Sequence, residues 1–188
     1  MPLNEGHGAI RSPDIPVEFE QVVVGTYSMP LVEWKKAVVV SWLMQAFVGL
    51  KFGYFIVLYL TDRFGLRYMD IIEFLAHKKG SMPKNTVLIS NVDRLRDLAD
   101  SIIQGKPRTC VVEEFGSIYW EPEEALYLYF SHNYDQIYEE FFAFVKEFLD
   151  QKNIVYDGKE LEEIFIYQKA RYPHYDGLKQ NDFRFAYN

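Results

Sequence analysis

Between Val38 and Leu60 the chain carries one charge, Lys51, in 23 residues, and any fold it adopts has to take that stretch out of water. The length would suffice for a single helix to cross a bilayer. Against a span stand Gly49, Lys51 and Gly53, which interrupt its middle, and Ser41, Gln45, Tyr54 and Tyr59, which are spread through it instead of gathered at its ends. Two buried helices joined by a tight turn account for the same residues, and the mixed charge on either side suits a globular protein. The sequence therefore predicts one helix from about Leu31 to Leu50 and a second over Tyr54–Phe64. Thr26 or Ser28 is available to cap the first, and Pro30 sits in its first turn, where a missing N–H costs nothing. Gly65 is placed as a left-handed cap at the end of the second. On the first helix Trp34, Val38, Ser41, Gln45 and Val48 line one side, while Val39, Trp42, Leu43 and Phe47 fill others. That is too many apolar positions for one stripe, so protein is expected on several sides.

The rest of the chain supplies shorter elements. Val17–Thr26 (VEFEQVVVGT) reads as a strand ended by Gly25. A third core helix runs over Tyr68–His77, and a connector through Pro83 covers residues 80–90. Asn91 or Asp93 opens an amphipathic helix reaching Gln104, closed by Gly105 and Pro107. Thr109–Val112 and Ser117–Trp120 flank a short turn as a hairpin. Pro122, Glu123 and Glu124 open a helix in the charge order the dipole favours, with a break near His132–Asn133. A long helix follows over Tyr134–Gln151, with Ile137, Phe141, Phe144, Val145 and Phe148 inward, and a last one over Lys159–Ala170. The tail Asp182–Asn188 alternates Phe183, Phe185 and Tyr187 as a short strand, with Val17–Thr26 as its partner. The expected fold is mainly α within the α+β class: a multi-helix core, a short hairpin, and a small sheet from the N-terminal strand and the C-terminal tail. Residues 1–16 read as a flexible leader or linker without the apolar core of a secretory signal, and 17–188 as a single helical domain.

Composition excludes several functions. Fifteen Phe, 14 Tyr and 3 Trp in 188 residues place the chain far from the disordered regime. The net charge of −7 has no basic stripe to offset it, so nucleic acid is a poor partner, because counterion release needs clustered Lys and Arg. Cys110 is the only cysteine, which rules out an intrachain disulfide or a thiolate cluster and fits a reducing, cytoplasmic setting. His7, His77, His132 and His174 are scattered, none with a second His or Cys at helical spacing, and Asp135, three residues after His132, reads as solvated, so no metal site is expected. The acidic pairs Glu113–Glu114, Glu123–Glu124, Glu139–Glu140 and Glu162–Glu163 fall at helix starts and exposed faces, where solvated charge explains them better than catalysis. Two polar features inside apolar surroundings stand out. Trp42 and Gln45 are neighbours on the first core helix, and a buried amide has to be paired or to face a ligand. Tyr167 and Gln168 form a second pair on the last helix, read as a packed Tyr beside a surface Gln.

The stretches EFEQVVVGTYSMPLVEWKKAVVVSWLMQAF, YFIVLYLTDRFGLRYMDIIEFL, LEEIFIYQKARYP and FRFAYN occur in that order. Together they resemble the region that follows the catalytic barrel in radical SAM enzymes with a cobalamin-binding domain. The shared features are a strand before a Met-Pro helix start, a helix with a W-x-x-Q pattern, an aromatic second helix, a Tyr-Gln helix and an aromatic tail. The likeness covers most of residues 17–80 and 159–188, and little between 81 and 158. It implies a cobalamin-binding domain and a radical SAM barrel as partners in the same parent chain, with a [4Fe–4S] cluster, S-adenosylmethionine and cobalamin as the parent's cofactors. The cysteine triad that would hold the cluster is absent here, so no catalytic residue carries over and this chain itself is expected to hold no cofactor. On this resemblance Trp42, Gln45, Tyr167 and Gln168 are the candidates for facing the substrate cavity. The alternative is a stand-alone helical module that binds a protein or a hydrophobic ligand.

Overall fold

The computed structural model describes residues 1–77 and 86–172. Among these residues the chain is mostly helical, with seven α-helices and one two-stranded antiparallel sheet. Helix α1 (Leu31–Met44) runs directly into a π-helical turn (Gln45–Gly49) and is followed, after a short break, by α2 (Tyr54–Phe64). The two helices are bent by 94° at that break, and among the described residues no single helix is long and apolar enough to cross a membrane.

The glycines and the lysine that interrupt the apolar stretch are what make the bend. Lys51 adopts a left-handed φ of 64°. The wide turn returns the Leu50 N–H to the Gln45 carbonyl, the Phe52 N–H to Ala46 and the Gly53 N–H to Phe47, at 2.7, 3.2 and 2.9 Å. The carbonyls left open by the end of α1 are thereby satisfied. Gly53 has to be glycine for a steric reason, since a Cβ there would meet the Phe47 ring at 2.8 Å and the Phe141 ring at 3.2 Å. Gly65 ends α2 at φ 67°, as its sequence position predicts.

Helix α3 (Tyr68–His77) and α4 (Val87–Ile103) pack against α1. After the hairpin of β1 (Cys110–Val111) and β2 (Tyr119–Trp120) come α5 (Pro122–His132), α6 (Tyr134–Gln151) and α7 (Gly158–Arg171). Helix α6 turns Ile137, Phe141, Phe144, Val145 and Phe148 into the core, the face its periodicity predicts. It packs between α4, α5 and α7, while α7 lies along α2. Pro122 opens α5, with Glu121 and Glu124 forming a reciprocal capping box.

Two sequence expectations are corrected. Of residues 17–26 only Phe19 enters a β-bridge, to Pro2. The expected partner, 182–188, lies outside the described residues, as does Pro83. Helix α4 starts at Val87, several residues before Asn91. Thr86 caps it through a bond from Ile89 N–H to its hydroxyl, and the Glu140 carboxylate of α6 accepts from the Val87 and Leu88 N–H groups at 3.1 and 2.7 Å. The local Thr86 cap is thus reinforced from another helix, by a residue 52 positions beyond Leu88. Asn91 lies buried inside the helix, its amide donating to the Val87 carbonyl.

The leader is hydrogen-bonded along β2. His7 N–H donates to Tyr119 O, Tyr119 N–H to Gly8 O and Ile10 N–H to Ser117 O. Val112, Ala125 and Leu128 form a small second core beneath the hairpin.

Candidate functional site

Of the two candidate glutamines, the buried one is Gln168, not Gln45. Gln168 is 1% exposed. Its amide oxygen accepts from the Phe55 N–H at 2.8 Å, and its nitrogen donates to the Lys51 carbonyl at 3.0 Å. One side chain from α7 therefore closes both ends of the break between the π-turn and α2. Tyr138 supports the same break from α6 by donating its hydroxyl to the Phe52 carbonyl at 2.6 Å. Burial holds that phenol protonated, well above its ordinary titration range.

Gln45 is exposed, correcting the expectation of a buried amide there. It opens the π-turn with its N–H still bonded to the Ser41 carbonyl in ordinary α-helical register, so it shares the exposed side of the helix with Ser41 while Leu43, Ala46 and Phe47 face the core. Its Oε1 lies over Gly49, within 2.6 Å of where a Cβ would stand. Trp42 is half-buried and packs against the main core. Tyr167 is half-buried too, its ring edge-on to Phe55 at 5.0 Å. The structure thus assigns Gln168 to the backbone of the bend, leaves Gln45 exposed, and packs Trp42 and Tyr167 against the main core.

Groups that could do chemistry are occupied structurally. Glu140 caps α4. Glu124 belongs to the capping box and also meets His7 Nε2 at 2.8 Å. Asp135, three residues after His132, pairs with Lys169. His174 lies outside the described residues. Among the described residues no group of three or more His, Cys, Asp and Glu side chains is arranged to hold a metal ion. Cys110 is partly buried in the hairpin, and burial together with Glu121 and Glu123 pushes its thiol up to about 11. The reactive species is the thiolate, so alkylation by iodoacetamide at pH 8 should run at least about tenfold slower than for an unstructured cysteine. Denaturant should restore the normal rate. Fast labelling of the folded chain would contradict this picture.

A cleft of about 330 Å³ opens elsewhere, between α1, the C-terminal end of α3 and α4, lined by Lys35, Lys36, His77 and Arg96 over Val39 and Ala76. It includes none of the four candidates from the sequence. No family model and no curated protein matches this chain. The basic groups of the cleft come from three helices far apart in sequence, and only the adjacent Lys35–Lys36 gave a local signal.

Proposed function

We propose that this chain is the helical accessory region of a cobalamin-dependent radical SAM enzyme, methyltransferase-like or cyclase-like, packing on the catalytic barrel and shaping its substrate cavity. The observation that carries the reading is the arm ahead of α1. Val17, Phe19 and Val23 are 54, 73 and 71% exposed, and Leu31 and Val32 at the start of α1, which follows the arm in sequence, are exposed too. Adjacent apolar side chains left in water mark a surface that another protein covers. The same segment has the composition of a strand and carries part of the resemblance, so the edge of a barrel sheet is the partner that suits it, by strand addition. The described residues offer no ligand set for an iron–sulfur cluster; that chemistry belongs to the barrel, and Trp42, Gln45 and Tyr167 would act only by shaping what lies beside it.

Two measurements test this. The reading frame and neighbouring genes should encode a Cys-x-x-x-Cys-x-x-Cys barrel. That barrel, reconstituted anaerobically with its cluster, should co-elute with this chain on size exclusion. Phe19→Asp together with Val23→Asp should abolish co-elution while leaving the helical circular dichroism unchanged, because neither side chain is in the core. A genome neighbourhood without such a barrel, or association unaffected by the two aspartates, would sink the proposal.

A further inference from the structure

We propose that the cleft between α1, the end of α3 and α4 is a binding site for a small amphipathic carboxylate. This goes beyond the docking role above and does not depend on it. The chain as a whole is acidic, with 27 Asp and Glu against 20 Lys and Arg. The lining differs from that balance: among the described residues its polar side chains are Lys35, Lys36, Arg96 and the imidazole of His77, with no carboxylate in the lining itself. Convergence of three cationic side chains against the overall charge is a recognition pattern for an anion.

The counterions already present are weak competitors. Lys35 pairs with Asp100, Lys36 with Glu33 and Arg96 with Asp93, and all three acids are about half exposed or more. Exposed pairs of this kind contribute little and exchange readily. Arg96 is further fixed in place because it donates to the carbonyl of Ala76 at the end of α3. Its planar guanidinium is therefore oriented before any ligand arrives, which lowers the entropic cost of binding.

The floor decides the rest of the ligand. Val39 and Ala76 are buried side chains of the main core, and together with Val32 they make the lining predominantly apolar. A bare inorganic anion would leave that surface wet, whereas an acid with a short hydrocarbon or aromatic body covers it while its head meets the cationic rim. The volume lies at the low end of that found for small-molecule sites, which fits a medium-chain or single-ring acid.

Titration calorimetry of the intact chain at low ionic strength, with octanoate, octanol and inorganic phosphate as separate probes, tests the site. Octanoate should bind saturably and shift the amide resonances of α1, the end of α3 and α4. Octanol and phosphate should each bind at least about tenfold more weakly. Lys36→Glu, on an exposed side chain whose partner is Glu33, should weaken octanoate by about tenfold or more with no change in thermal midpoint. Arg96→Gln should weaken it as well, with its melting curve recorded because Arg96 also holds α3. Absence of saturable octanoate binding overturns the proposal. So does octanol binding as well as octanoate, phosphate binding as well as octanoate, or a folded Lys36→Glu protein with unchanged affinity.

Discussion

Replacing Gln168 by leucine is expected to lower the stability of the fold by about 3 kcal/mol, since a buried donor and a buried acceptor each lose their partner. The Phe55 N–H and the Lys51 carbonyl both depend on this one amide. Leucine fills the space but offers neither bond, so the loss comes from desolvated backbone and not from a cavity. Gln45→Ala provides the contrast. It is exposed, and a surface change of this kind stays within about 0.5 kcal/mol. Urea titrations of the two variants, read by far-UV circular dichroism, separate the cases. If both variants unfold at the wild-type midpoint, Gln168 does not hold the bend.

The contrast between these two glutamines also shows where sequence reasoning stops. Straight helical spacing placed Gln45 among apolar neighbours and Gln168 beside a tyrosine at the end of a polar helix. In the structure Gln45 keeps the α1 register, its N–H bonded to the Ser41 carbonyl, and the side it shares with Ser41 faces outward. Nothing in the residue types announces the π-turn that begins there; it satisfies carbonyls at a sharp bend packed on Phe130 and Phe141. By contrast α2, α3 and α6 were legible to the residue, because each has local stop signals and a clean period: Gly53 and Gly65 around α2, Asn133 before α6. The start of α4 was placed late: Thr86 is its local cap, and Glu140 of another helix satisfies two further N–H groups of the first turn. The strand over Val17–Thr26 was overread because β-branched composition describes a capacity to pair, and only Phe19 of that segment enters a bridge. The basic cleft was invisible for a related reason. Lys35, His77 and Arg96 meet only after three helices have packed, so no window of sequence contains the site.

Phe52→Ala is expected to be the most damaging single truncation at the bend, costing about 4 kcal/mol, within the range for deleting a buried phenylalanine. Phe52 is fully buried and stacks on Tyr138 at 4.9 Å and 17°. It also contacts Phe47, Tyr127, Phe130 and Tyr172. These rings come from the π-turn, α5, α6 and the end of α7, so one side chain ties four parts of the chain to the turn. Edge-on and stacked pairs add to the burial term, which is why Phe52→Leu, keeping most of the apolar volume, should still cost about 1.5 kcal/mol. Near-UV circular dichroism should fall in Phe52→Ala before helix content does, since ring packing is lost while the backbone bonds of α2 and α6 remain. The double variant with Gln168→Leu sharpens the mechanism. Phe52 and Gln168 brace the same turn, and Tyr138 touches both, its hydroxyl 3.5 Å from the Gln168 nitrogen. Residues that share a partner couple, so the double variant should be less destabilised than the two single costs added together. Strict additivity would mean that the aromatic cluster and the amide clamp stabilise the bend independently. In that case the turn between α1 and α2 would be two local structures in sequence, not one braced unit.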